Sequence, residues 1–260
     1  MNKLKTVIKL NDMLLAEMPQ YAEQAKNFDK TFQSQRRLLR SLMNIRPPMR
    51  VSEDFLHLQD ELLKLETVEK GIVDTEKFDG KIALWQGDIT RLKANAIVNA
   101  ANNKLLGCFC PCHGCIDNAI HSAAGVHLRL ECNEIMKRQG FDEPTGSAKI
   151  TKGYNLPCKY VIHTVGPIVY GKLTDKHCKE LAMCYHACLS LAAKNNLKSI
   201  VFCCISTGEF HFPNKTAAKI AVSETLKFLE LNSSIEKVIF NVFKDIDFEI
   251  YKQLLRKLIM

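Results

Sequence analysis

No apolar run in this chain reaches the roughly 18 residues that a bilayer-spanning helix needs, so the sequence offers no transmembrane segment. A cleavable export signal is missing too. The start, MNKLKTVIKLNDMLLAEM, is basic and carries Leu and Ile, but Asn11 and Asp12 interrupt its apolar run and no small-residue cleavage site follows. It reads as an amphipathic helix. There is no internal repeat and no low-complexity stretch. Eleven cysteines, an odd number on a chain without an export signal, argue against a disulfide framework and predict reduced thiols in a cytoplasmic protein.

What is present suits a folded protein with a sizeable core: 47% of the residues are hydrophobic. The formal net charge of +8 suits an anionic ligand or partner. The lysines are dispersed, and the densest basic cluster, QRRLLR with Arg36, Arg37 and Arg40, reads as a solvated helix face rather than a nucleic-acid patch.

Two rhythms divide the chain. Residues 1–75 carry helix-compatible runs and almost no β-branched clusters. In FQSQRRLLRSLM, Leu38, Leu39, Leu42 and Met43 share one helical face, and Pro47 and Pro48 then stop the chain. Ser52 suits an N-cap before SEDFLHLQDELLKLE, whose apolar stripe is Phe55, Leu58, Leu62, Leu63 and Leu65. This predicts a helical extension over 1–75 and a second domain over 76–260. There, strands at 81–86, 95–100, 147–153, 159–165, 198–206 and 237–242 alternate with helices, the pattern of an α/β layered domain. One of those helices is expected to end near Gly140.

In such sheets ligands gather where strands end, and three loops after strands carry chemistry. WQGDIT holds Asp88, which can accept from an amine or cap a turn. NAANNKLLGCFCPCHGC holds Asn99 and Asn102, either turn organisers or partners of hydroxyls, and then Cys108, Cys110, Cys112, His113 and Cys115. STGEFHFP offers successive backbone N–H groups beside a glycine, the kind of nest that holds phosphate.

GDIT, IVNAAN, AIHSAAG and STGEFHFP, in that order, resemble the macrodomain family over roughly residues 75–260. The resemblance implies a three-layer α/β/α sandwich with a mixed central sheet, preceded here by the helical extension, and binding of ADP-ribose. Carried over by motif, Asp88 would meet the adenine amine, with the Ile89 amide beside it. Asn99 and Asn102 would serve substrate binding, with Asn102 at the distal ribose. Ser206, Thr207, Gly208 and Glu209 would wrap the diphosphate, and Phe210 would lie against a ribose or the base.

Common macrodomain hydrolases follow NAAN with a glycine run and then an Asp. Here GCFCPCHGCIDNAIH replaces that run, and it resembles the Cys-x4-His-x-Cys insertion of the zinc-dependent branch. The implied ligands of one Zn2+ per chain are Cys108, His113 and Cys115. Soft sulfur donors favour zinc over magnesium or calcium, and three protein ligands leave the open position of a catalytic site. Spacing alone does not exclude Cys110 or Cys112. The nearest distant cysteine, Cys132, is expected after a helix.

The PCHGC run also fits half of a zinc-deaminase signature, but the required His-x-Glu is missing: His57 is followed by Leu58 and Gln59. The implied activity is zinc-dependent removal of mono-ADP-ribose from protein side chains, ester-linked through Asp or Glu, by a monomer. Asn102 and Asp117 are its catalytic candidates, and capping a helix is the alternative for Asp117. The branch is associated with a lipoyl-carrier protein modified by a sirtuin-type transferase. The alternatives are a non-catalytic ADP-ribose reader with a structural zinc loop and a thiol redox sensor.

Overall fold

The computed structural model describes residues 2–256; Met1 and 257–260 lie outside them, and with them the end of the helix that the sequence pattern predicts over DFEIYKQLLRKL, residues 247–258. Four helices come first: α1 (Lys3–Glu17), the single turn α2 (Ala22–Ala25), α3 (Phe32–Ile45) and α4 (Glu53–Lys70). Each long one begins on a side-chain cap. Asn2, Thr31 and Ser52 accept from the amides of Lys5, Ser34 and Phe55, relieving N–H groups that the first turn leaves unpaired. Gly71, at φ 82°, ends α4.

The apolar faces of these helices close on one another. Val7, Leu10 and Leu14 from α1, Leu39 and Leu42 from α3 and Phe55 and Leu62 from α4 form a core that also takes in Val126. Arg46 is fully buried there. Its guanidinium meets Glu17 at 2.6 Å and donates to the carbonyls of Met49 and Arg50, so the charge is matched at every face.

The rest is β1 (Val73–Asp74), β2 (Ile82–Gln86), β3 (Leu92–Lys93), β4 (Ala96–Ala101), α5 (Ile116–Ala124), α6 (Val126–Gln139), β5 (Ala148–Lys152), β6 (Tyr160–Val165), α7 (Asp175–Lys194), β7 (Ser199–Phe202), α8 (Asn214–Leu231), β8 (Lys237–Val242) and α9 (Asp245–Arg256). A six-stranded sheet runs in the order β2-β8-β7-β4-β6-β5. Every pairing in it is parallel except β5 with β6, so the sheet is mixed. Helices α7, α8 and α9 form one covering layer and α5 and α6 the other, with α3 and α4 packed behind α5, which makes the α/β/α sandwich. Central strands such as β4 are buried on both sides, as parallel strands between helix layers must be.

Three details sharpen the sequence reading. The strand expected to 206 leaves the ladder after Phe202, because the chain turns there into a loop at the sheet edge. Cys132 follows α5, as expected, and is itself carried inside α6. Between α5 and α6 stands Gly125, at φ 90°. A Cβ there would meet the Gln59 side chain of α4 at 2.5 Å, and Gln59 Oε1 accepts from Val126 N. The extension thus fixes where one helix ends and the next begins.

β2, β4, β6, β7 and β8 are mutually parallel, so their carboxyl ends share one edge of the sheet. Among the described residues no helix is long and apolar enough to cross a membrane.

Candidate active site

A cleft of about 960 Å³ opens along that edge, within the size range of small-molecule sites. The loops after β2, β4, β7 and β8 line it, and it contains Asp88, Ile89, Asn102, Cys108, His113, Cys115, Asp117 and 206–210. Asn99, in the middle of β4, is buried below it and does not line it.

At one end Asp88 caps a short turn. Its Oδ1 accepts from Thr90 N at 2.9 Å and Thr90 Oγ1 at 2.7 Å. Its other oxygen faces Lys70 Nζ at 3.9 Å, so turn capping leaves one carboxylate oxygen available. Across the cleft, Ser206 is held at φ 64°, and Phe212 N donates to Ser206 O at 2.9 Å. This closes a tight loop in which the amides of Gly208, Glu209 and Phe210 have no partner among the described residues. Gly166 lets the loop sit this low: a Cβ there would overlap Ser206 Oγ.

Asn102 spends most of its amide on its own loop. Its Oδ1 accepts from Lys104 N at 3.0 Å and its Nδ2 donates to Gly107 O at 3.1 Å. One N–H and one lone pair remain for a ligand.

The Cys/His segment folds back so that Cys108, His113 and Cys115 place their ligand atoms within 4.8 Å of one another. Cys108 Sγ lies 3.7 Å from His113 Nδ1. Tetrahedral geometry with ordinary zinc bond lengths asks for about 3.6 Å between a sulfur and a nitrogen ligand, so the Cys108–His113 pair fits that ion, with Cys115 Sγ close by. Cys112 turns away instead, at φ 52°, towards Ser41 Oγ and Arg37 O, and Cys110 is exposed. His113 Nε2 faces Glu209 Oε1 at 3.7 Å, the outer carboxylate that metal-binding imidazoles commonly have. Burial pushes the Cys115 thiol up to about 12, against the Asn118 amide that favours its thiolate.

Asp117 is in the first turn of α5, but Cys115, not Asp117, is the N-cap: its Sγ accepts from Asn118 N at 3.4 Å. The Asp117 carboxylate rests on Asn99, whose Nδ2 donates to its Oδ1 at 2.7 Å. Burial pushes Asp117 up to about 6, and the Asn99 hydrogen bond and Arg129 work against that shift. Below lies a trio buried throughout, His121, Cys132 and His163. Asn99 Nδ2 also reaches His163 Nδ1 at 3.1 Å, and His163 Nε2 reaches Thr151 Oγ1 at 3.0 Å. With Asn99 donating, the assignment that satisfies both contacts leaves the His163 proton on Nε2.

Burial holds His163 down at about 4, and it holds His121 well below its ordinary value. The unfolded chain takes up these protons near pH 6.5 while the native state refuses them, so the stability these histidines contribute is complete above that pH and is lost as pH drops towards 4, offset in part by the gain as Asp117 protonates below about 6. For His163 alone the loss across that window is about 3 kcal/mol. Denaturant unfolding at pH 7 and pH 5 should show the drop, and His163→Gln should flatten it. An equal slope in that variant would assign the pH dependence to other groups.

Several lining residues escape sequence reading. Phe243, Lys244 and Asp247 follow β8, and the strand-end rule applied to the last strand would have found them. Arg40, from α3, also lines the cleft, and nothing local in the sequence signals that.

A Macro domain family model matches residues 98–221. The chain is 50% identical over 255 residues to a Protein-ADP-ribose hydrolase of Treponema medium, covering 95% of this chain and 97% of the relative. It is 48% identical over 221 residues to a Protein-ADP-ribose hydrolase of Staphylococcus aureus, covering 83% of each. Among solved structures, a Trypanosoma brucei macrodomain in complex with ADP-ribose superposes with a TM-score of 0.65 at 32% identity, over 83% of this chain and 94% of that one. An Oceanobacillus iheyensis macrodomain with ADP gives 0.61 at 40% identity, over 68% and 90%. Identity of this extent along nearly the whole chain, joined to the same fold, shows that the protein belongs to the macrodomain family.

Proposed function

We propose that this protein is a hydrolase that removes mono-ADP-ribose from modified protein side chains, with one Zn2+ held by Cys108, His113 and Cys115. The observation that carries the reading is that this trio, gathered at metal-ligand distance, and Asp117 line one cleft. Relatives that match most of the chain bear the name Protein-ADP-ribose hydrolase.

The free amides of Gly208, Glu209 and Phe210 suit the diphosphate, and the second oxygen of Asp88 suits the adenine amine. The remaining N–H of Asn102 suits a distal ribose hydroxyl. Zinc with three protein ligands supplies a Lewis acid with a position for one oxygen ligand. In hydrolysis a water oxygen bonds to the anomeric carbon of the distal ribose as the bond from that carbon to the protein oxygen breaks. The products are ADP-ribose and a free side-chain carboxylate. Asp117 orients that water and takes its proton.

Asp or Glu esters are the linkage this chemistry suits, because a carboxylate leaves without needing a proton. A lipoyl-carrier protein modified by a sirtuin-type transferase is the partner that the branch resemblance suggests, with the enzyme acting as a monomer. None of the eleven cysteines is paired, which fits a reducing cytoplasm.

The test uses the purified full chain. Zinc is counted, then release of ADP-ribose from an ester-modified protein is timed before and after chelation. Turnover should vanish on chelation and return with zinc. Unchanged turnover in the stripped protein would remove the metal from the reaction, and ADP-ribose binding with no release by the zinc-loaded protein would favour a reader.

A further inference from the structure

The helical extension reaches the Cys/His loop directly. Helix α3 lies outside the residues matched by the Macro domain model, yet three of its side chains touch that loop. Arg40 donates from Nη2 to His113 O at 3.2 Å and to Asn118 Oδ1 at 2.7 Å. Asn44 accepts from Cys112 N at 2.9 Å and donates to Ser122 Oγ at 3.0 Å. Ser41 Oγ lies 3.3 Å from Cys112 Sγ.

Each contact settles something the loop cannot settle alone. Cys112 is in the left-handed region, where a residue with a Cβ is strained. The Asn44 acceptor holds its amide in that turn, between the ligands Cys108 and His113. The amide of Asn118 could point either way. Arg40 occupies its oxygen, which leaves Nδ2 to donate to Cys110 O at 2.9 Å. The loop entrance is tied to α3 as well: Arg129 Nε donates to Leu106 O at 2.6 Å, while its Nη1 donates to the carbonyls of Met43 and Arg46. Loop backbone is therefore fixed at 106, 110, 112 and 113 by bonds that start or end on α3 or on groups it orients. Within the segment, Asn102 holds Gly107 O, Cys115 caps α5 and His113 N closes a turn on Cys110 O; the backbone at 112 and the carbonyl of His113 take their side-chain partners from α3.

We infer that α3 is the template of the Cys/His loop, and that Arg40 and Asn44 are positioning residues that set the spacing of Cys108, His113 and Cys115 for a divalent metal. The inference rests on the proposed zinc reading of that loop. It assigns the extension a part in the site instead of a flank beside it.

The test measures zinc affinity by competition with a chromophoric chelator, on the full chain, alongside thermal unfolding and ADP-ribose titration. Arg40→Met keeps the aliphatic stem and removes the donors. Asn44→Ala removes the acceptor for Cys112 N. Each should weaken zinc binding by about ten- to a hundredfold, and Asn44→Ala should keep its ADP-ribose affinity. Arg40→Lys, which restores one donor, should recover part of the loss. Arg36→Met breaks the α3–α4 pair with Glu66, 2.7 Å apart, without touching the loop. It should lower the unfolding temperature and leave zinc affinity unchanged. Wild-type zinc affinity in both Arg40→Met and Asn44→Ala would overturn the template role, as would an equal loss in Arg36→Met. Failure of the wild-type protein to bind zinc would instead overturn the functional reading, and the inference with it.

Discussion

Cys115→Ser is expected to strip the protein of stoichiometric zinc and to lower turnover by about three orders of magnitude, the scale of losing several kcal/mol of Lewis-acid stabilisation. The fold should survive. Cys115 is the N-cap of α5, and its sulfur accepts from Asn118 N; serine is among the best residues for that task, so the helix start is kept or improved. What serine cannot supply at neutral pH is a thiolate. Cys108→Ser should give the same loss, because Cys108 sits beside His113 Nδ1 on the other arm of the trio. Cys112→Ser is the informative contrast, since that thiol points at Ser41 and Arg37 and is not among the gathered Cys108, His113 and Cys115. It should keep both zinc and turnover. Metal analysis with single-turnover release of ADP-ribose reads all three. Full activity in a zinc-free Cys115→Ser protein would end the catalytic-metal reading.

The parts of the site that the sequence shows plainly are those built from consecutive residues. The Asp88 turn, the 206–210 nest and the Cys/His loop each declare themselves because their chemistry is local: a capping carboxylate, successive amides, thiol and imidazole donors a few positions apart. Strand ends put them on one sheet edge, and parallel pairing is what unites them. Asn99 was harder to place, because in a buried strand every second residue faces each helix layer, and only the pairing of β4 with β6 sets Asn99 opposite His163. Arg40 could not be read at all: its contacts join residues 73 and 78 positions away, and its composition is that of a solvated helix face. The break at Gly125 has the same cause, since the Gln59 side chain that demands it lies on another helix. The extension was legible as helices, but its contribution to the loop was not, because backbone acceptors such as His113 O carry no sequence signature.

The remaining large effect concerns Asp117, and it separates support of the fold from support of the reaction. Thr151, His163, Asn99 and Asp117 form a line of contacts across β5, β6, β4 and α5, ending at the cleft. Within it Asn99 donates to both neighbours from Nδ2, and its own Oδ1 has no partner among the described residues. Asp117→Asn keeps the acceptor that Asn99 needs, because the replacement amide also presents an oxygen. It removes only the basic oxygen. The line itself, and the helix that carries it, should therefore stay in place. Burial opposes the charged form of Asp117, so losing the charge relieves a desolvation cost. The unfolding temperature should hold or rise. Proton acceptance is lost, and kcat should fall by about two to four orders of magnitude while ADP-ribose affinity is retained. Asn99→Ala acts on the same carboxylate from below and should lower both kcat and stability, because it leaves His163 Nδ1 and Asp117 Oδ1 buried without their donor. A variant at Asp117 that keeps near-wild-type kcat would show that the water is activated elsewhere, and would leave Asp117 as a first-turn acidic residue of α5 and nothing more.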